Sequence, residues 1–156
     1  MTQKLKIEFG SNGRNVPGWL CTDISQADIC KPLPWPNESC EALYASHVFE
    51  HVSSPHAIHF LQECHRLLIN GGTLRLIVPI VGSHMTRAEI VELVDATHGH
   101  MCGYNEQLLR TMLFAAGFYP HKIQRTDRQE MDIHHHAIGE ERDYKESCRL
   151  MATKIV

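Results

Sequence analysis

The feature that most constrains this chain is an alternation between two periodicities. Short apolar runs of strand length are separated by stretches whose apolar residues recur at helical spacing, and Gly and Pro mark the joins. Lys4-Leu5-Lys6-Ile7-Glu8-Phe9 alternates polar and apolar and ends at Gly10-Ser11-Asn12-Gly13, the pattern of a strand entering a loop. Gly18 to Asp23 gives a second short strand, and Ala42 to Ser46 a third, buried one. Between them, Lys31-Pro32-Leu33-Pro34-Trp35-Pro36 excludes a helix, because its prolines lack donors and fix φ. A first helix is predicted with Ser53 or Ser54 as cap and Pro55 in its first turn. It carries Ala57, Phe60, Leu61, Cys64 and Leu67, and Asn70-Gly71-Gly72 is expected to stop it.

Thr73 to Val78 then reads as a strand closed by Pro79. Thr86-Arg87-Ala88-Glu89 is a capping box for a second helix with Ile90, Val91, Leu93 and Val94. Asn105 caps a third, whose stripe is Leu108, Leu109, Met112, Leu113 and Ala116, with Gly117 as its C-terminal glycine. Phe118 to Gln124 and Arg149 to Val156 are the closing strands. Arg125 to Ser147 is polar and without period, which predicts a long loop or flap. Strands alternating with helices give an α/β sandwich with a largely parallel sheet. Ligands bind beyond the carboxyl ends of such strands, so chemistry is sought just after each one.

Composition narrows the partners. A chain of 156 residues, 43% hydrophobic, fits one domain over residues 1–156 of the usual size of about 100–200 residues. The net charge of −3 leaves no basic surplus for phosphates, so nucleic acid is not an expected partner. No apolar run reaches the roughly 18 residues of a membrane span, and Met1 to Leu5 lacks a leader's hydrophobic region. A cytoplasmic location is therefore expected. The six cysteines show no C-x-x-C spacing, so reduced thiols are expected rather than a disulfide framework. Of the twelve histidines, His134-His135-His136 stand adjacent, where extended neighbours point to alternate faces and do not converge on one ion. No metal site is expected.

Taken singly, the site residues leave alternatives open. Gly10 to Gly13 lets backbone approach a ligand closely, or serves any tight turn. The dinucleotide pattern G-x-G-x-x-G is unmatched because Asn12 stands at its second glycine, which argues against pyrophosphate and a nicotinamide-dependent oxidoreductase. Asp23 ends a strand where a carboxylate accepts from two ribose hydroxyls, or caps a turn. Asp28 has the same two readings. His47, His84, His100 and Tyr104 are candidate bases for an oxygen or nitrogen acceptor, against a solvated or structural role.

Read in order, these segments resemble the class I S-adenosylmethionine-dependent methyltransferases. Lys6-Ile7-Glu8-Phe9-Gly10-Ser11-Asn12-Gly13, Pro17-Gly18-Trp19 and Thr22-Asp23-Ile24 are similar to the opening of a small methyltransferase group within that family. Asp28-Ile29-Cys30-Lys31-Pro32-Leu33-Pro34-Trp35-Pro36, Ala42 to His51, Glu63 to Gly72 and Ala115-Ala116-Gly117-Phe118 resemble its later motifs. The resemblance implies S-adenosylmethionine as cofactor. It implies that Glu8, Gly10, Ser11, Asn12 and Gly13 hold the methionine end and that Asp23 binds the ribose. Asp28 and the Ile29 amide would meet adenine, Ser46 and His47 would line the methionine side, and Glu50-His51 would bond mainly to neighbouring backbone.

The chain also departs from the family pattern. Only four residues separate Asp23 from Asp28, whereas a parallel crossover needs about a dozen. A third strand reached through a helix is therefore excluded there. The expectation is a trimmed Rossmann-like class I methyltransferase sandwich, mostly parallel with a C-terminal antiparallel strand. Its expected activity is methyl transfer to a small-molecule or glycan-type acceptor. The alternatives are a catalytically inactive methyltransferase-like binding or scaffold module, or a metal-binding His protein.

Overall fold

The computed structural model describes residues 4–81, 86–94, 99–126 and 147–155. Six strands form one sheet in the order β2-β1-β3-β4-β6-β5. They are β1 (Leu5–Phe9), β2 (Leu20–Thr22), β3 (Cys40–Ser46), β4 (Leu68–Pro79), β5 (Phe118–Thr126) and β6 (Ser147–Lys154). The helices are α1 (Ser54–Leu67), α2 (Arg87–Val94) and α3 (Glu106–Ala115), and a 3-10 turn spans Phe49–His51. β2, β1, β3 and β4 pair in parallel, and β6 inserts antiparallel between β4 and β5. The trimmed, mostly parallel sheet with an antiparallel C-terminal strand is thus what forms. Among the described residues the sheet ends at β2, as the short Asp23–Asp28 spacing requires.

Register sorts the side chains into two faces, because paired residues project to the same side. Ile7 aligns with Leu43, Leu43 with Leu74 and Leu74 with Ala152, while Phe9 aligns with Ala45, Ala45 with Leu76 and Leu76 with Leu150. These rows are buried against Ala57, Phe60, Leu61, Cys64 and Leu67 of α1 and Leu109 and Leu113 of α3. Phe9 meets Phe60 edge-on at 5.1 Å between ring centres. The opposite face reads Cys21, Glu8, Tyr44, Arg75 and Met151 across the strands. It is held by polar and aromatic contacts, with the Arg75 guanidinium 5.4 Å from the Tyr44 ring and Trp19 edge-on to Tyr44.

The first helix starts as predicted but does not stop as predicted. Ser53 is its cap residue, yet the Ser53 hydroxyl bonds His56 Nδ1 rather than the backbone. The helix ends at Leu67 and the chain enters β4 at once, with Leu68 already extended and paired to Cys40. Pairing then jumps from Cys40–Leu68 to Ala42–Thr73, so Asn70-Gly71-Gly72 forms an irregular excursion inside β4 instead of a helix stop. Glycine is required there because a Cβ on Gly72 would meet the Ile69 carbonyl at 2.9 Å and the Glu41 carbonyl at 3.3 Å. The capping box of α2 forms, with the Thr86 amide donating to Glu89 at 2.7 Å and the Glu89 amide to the Thr86 hydroxyl at 3.3 Å. Asn105 caps α3 by accepting from the Leu108 amide at 2.8 Å. The Leu108 and Val91 side chains are exposed, so the predicted stripes of α3 and α2 are narrower than their sequences suggest.

The proline-rich segment is tied to α1 by one charged hub. Arg66 donates to the carbonyls of Leu33 and Trp35, to Asn37 Oδ1 and to both oxygens of Glu63 at 2.7–3.0 Å. Glu63 in turn accepts from the Leu33 amide at 2.7 Å. A segment without strand or helix leaves its backbone groups unpaired, and this side-chain pair supplies the partners. Arg66 holds the Glu63 carboxyl below its ordinary value of 4.5, outweighing the opposing effect of burial. Arg66→Ala is expected to cost about 2–3 kcal/mol in urea denaturation near neutral pH, the scale of hydrogen bonds to charged groups. Glu63 binds its proton more weakly folded than unfolded, so this contribution is present above pH 4.5 and lost as pH falls below it. The gap between wild type and variant should therefore narrow in acid; a constant gap would assign the loss to packing.

Candidate active site

Three loops meet at the carboxyl edge of β1, β2 and β3. The first is Gly10 to Gly13, whose backbone has positive φ at Gly10, Asn12 and Gly13. A Cβ at Gly10 would collide with the Val48 side chain, so the loop after β1 lies directly against the loop after β3. Asp23, just past β2, closes the first loop from the other side. Its Oδ1 accepts from the Asn12 amide at 2.8 Å, and its Oδ2 from the Gly13 amide at 3.0 Å and the Ser11 hydroxyl at 3.1 Å. Burial pushes the Asp23 carboxyl up, but these donors and nearby Arg14 outweigh it and hold it below the usual carboxylate range. An ionised carboxylate offers about four acceptor positions, so the loop occupies three and leaves about one open.

The other predicted cofactor residues are placed as follows. Glu8 is buried in β1, with Oε1 bound by Arg14 at 2.6 Å and Oε2 by the Cys21 thiol at 3.4 Å. Burial, reinforced by the Glu8 carboxylate, raises the Cys21 pKa, so the group is a thiol donor rather than a thiolate. Arg14 is a site residue that sequence reasoning missed; a lone Arg after a loop has no signal until the fold sets it beside a buried carboxylate. Asp28 makes a tight turn by accepting from the Cys30 amide at 3.0 Å and pairs with Lys31 at 3.0 Å. The Cys30 amide and then Lys31 lower its pKa. The Ile29 side chain is buried in the core.

After β3, Ser46 is half-buried and His47 takes a positive φ of 53°, its amide bonded to the Ile77 carbonyl at 2.9 Å. His47 Nδ1 lies 3.1 Å from Oε1 of Glu50, which is wholly buried. The Glu50 carbonyl accepts from the Met101 amide at 2.8 Å, and His51 Nδ1 bonds the Gly99 carbonyl at 3.1 Å. The backbone bonding expected of Glu50-His51 is therefore present, while the Glu50 carboxylate turns to His47. His100, a candidate base in the sequence, packs beside His51 with ring centres 4.9 Å apart. Tyr104 is buried and stacked on Phe49, with its hydroxyl 3.4 Å from the Phe49 carbonyl. Burial raises its pKa strongly, so this candidate base is a core residue and not a proton acceptor. His84 and His134 to His136 lie outside the described residues.

The buried Glu8–Arg14 pair gives a prediction. Removing one partner of a buried ion pair costs about 3–5 kcal/mol, because the other charge stays behind. Arg14→Ala should lower unfolding free energy by that scale, and adding Glu8→Gln should recover part of it. If the double variant were as unstable as the sum of the singles, the two charges would not be coupled.

Comparison with known proteins agrees with this geometry. A family model described as a methyltransferase domain matches residues 5–76, which include β1, Asp23, β3, the 3-10 turn and α1. No curated protein matches by sequence. A methyltransferase structure from Bacillus halodurans superposes with a TM-score of 0.68 at 17% identity, covering 97% of this chain and 91% of its own. A SAM-dependent methyltransferase from Thermotoga maritima gives 0.67 at 14%, covering 99% and 84%. Geranyl diphosphate C-methyltransferase from Streptomyces coelicolor, solved with Mg2+, geranyl diphosphate and S-adenosyl-L-homocysteine, gives 0.60 at 14%, covering 88% and 54%. The domain match covers residues 5–76 and the structural likenesses run along the whole chain at 14–17% identity, so the chain is similar to the class I S-adenosylmethionine-dependent methyltransferases and shares their Rossmann-like fold.

Proposed function

We propose that this protein transfers the methyl group of S-adenosylmethionine to a small-molecule acceptor at the carboxyl edge of β1, β2 and β3. The observation that carries the reading is the Asp23 carboxylate clamped to the Gly10–Gly13 loop, which joins the ribose and methionine positions into one rigid rim. Gly10 to Gly13 offer backbone amides and space to the methionine end, and Ser46 and His47 bound it from β3. Asp23 accepts one ribose hydroxyl at its open position; engaging both requires it to release one loop donor. Asp28, already serving its turn and Lys31, supports adenine only through its remaining acceptor capacity. Glu8 acts through Arg14 and the loop, as a buried anchor rather than a direct ligand.

The reaction is an in-line displacement at a sulfonium, which needs alignment of acceptor, methyl and sulfur more than a covalent nucleophile. His47 is the candidate base. His47 Nδ1 faces the Glu50 carboxyl at 3.1 Å, and the tautomer with its proton on Nδ1 leaves the lone pair on Nε2 for the acceptor. No described helix is long and apolar enough to cross a membrane, in keeping with a small acceptor met in solution. We read residues 1–156 as one such domain, working in the cytoplasm.

S-adenosylhomocysteine should raise the melting temperature, with about 2.7 kcal/mol of stabilisation at 100 times its dissociation constant. Asp23→Ala should weaken its binding tenfold to a hundredfold, the equivalent of about 1.4–2.8 kcal/mol. Calorimetry on both proteins checks this. Absence of binding at millimolar ligand would exclude the enzyme and leave the scaffold reading, and equal affinity would restrict Asp23 to closing the loop.

A further inference from the structure

We infer that Glu50, His51 and His100 form a binding site for a divalent transition metal, zinc first, at the carboxyl edge between β3 and β4. One donor atom from each of the three residues lies within 4.8 Å of the others. Two imidazoles and a carboxylate are a donor set that suits zinc, with a fourth position left for water or an oxygen ligand. Two donors on one tetrahedral zinc stand about 3.3 Å apart, given bonds of about 2.0–2.1 Å. Glu50 Oε1 and His51 Nε2 are already at 3.9 Å, and the pairs with His100, within 4.8 Å, must draw in by side-chain rotation.

Three independent features point to a cation there. The first is the Glu50 carboxylate itself. It is wholly buried, and while Oε1 meets His47, Oε2 is buried without a hydrogen-bond partner among the described residues. A buried carboxylate oxygen left in that condition is costly unless a cation satisfies it.

The second is the tautomer of His51. The Gly99 carbonyl can only accept, so it fixes the proton on Nδ1 and leaves the Nε2 lone pair on the side of Glu50. A backbone carbonyl holding the far nitrogen is the usual support of a ligating histidine. The third is that His100 is delivered by a segment pinned to the same turn. The Met101 amide bonds the Glu50 carbonyl, and the Tyr104 backbone bridges to Ile80 beyond β4. The site uses none of the cofactor-side residues, and it departs from the sequence expectation of no metal. Periodicity could not show it, because its members are about fifty residues apart in the chain.

The test is cobalt titration of the full chain after chelator treatment. One equivalent of Co2+ should bind with visible absorption, and Zn2+ should displace it. His51→Ala and His100→Ala should each weaken binding at least a hundredfold, while a variant with alanine at positions 134, 135 and 136 should keep it. His51 is an exposed side chain and His100 a half-exposed one, so both variants should fold, checked by circular dichroism melts; His51→Gln and His100→Gln provide a second pair. No stoichiometric binding, or binding unchanged in the site variants and lost in the 134–136 variant, would overturn the site. S-adenosylhomocysteine binding is measured separately, so failure of the methyl-transfer reading leaves the metal result standing, and the reverse.

Discussion

The two apolar rows that cross β1, β3, β4 and β6 are the constraint on which the rest depends. Ile7, Leu43, Leu74 and Ala152 form one row, Phe9, Ala45, Leu76 and Leu150 the other, and α1 covers much of both. A slip of one residue in any strand would turn its row to the polar face, so the register is strongly specified. That register brings the ends of β1, β2 and β3 to one edge and fixes where the loops emerge. The functional rim follows from core packing before any ligand is considered.

Among the described residues, the links on either side of β2 are short. Residues 10–19 connect β1 to β2 without a helix, and Pro32 to Pro36 replace a further strand. Charged and aromatic contacts hold the second face: Arg14 neutralises Glu8, Arg75 lies over Tyr44, and Trp19 packs against the same ring. On the other side, Arg66 supplies hydrogen bonds that a strand would have made for the proline-rich segment. Trimmed architecture thus places unusual weight on a few arginines. Arg14 and Arg66 meet fixed carboxylates or carbonyls and Arg75 lies over a ring, contacts for which the planar guanidinium is well shaped.

The rim and the cluster behind it have different electrostatics. Asp23 accepts from two amides and a hydroxyl, which keeps it anionic and ties it to the loop while leaving about one acceptor position open. Glu50 is more deeply buried, has His47 at hydrogen-bond distance on one oxygen, and lies near two further imidazoles. The first arrangement fixes the loop after β1 against the end of β2. The second leaves a buried carboxylate oxygen without a hydrogen-bond partner among the described residues, where the proposed cation would complete it.

By itself, the sequence determined the order of the elements, the absence of a strand after β2, the caps at Thr86 and Asn105, and the ordered motifs that resemble class I methyltransferases. These are local matters: spacing, proline chemistry, capping geometry and ordered short patterns are all written in neighbouring residues. The helix stop was misplaced because Gly71 and Gly72 carry the same local signal whether they end a helix or relieve a crowded excursion in β4. Only tertiary structure decided that Arg14 belongs to Glu8, that Tyr104 is core, and that His100 meets His51 and Glu50. Those pairings join residues far apart in the chain, and the sheet register and helix packing, rather than local propensity, bring them within reach.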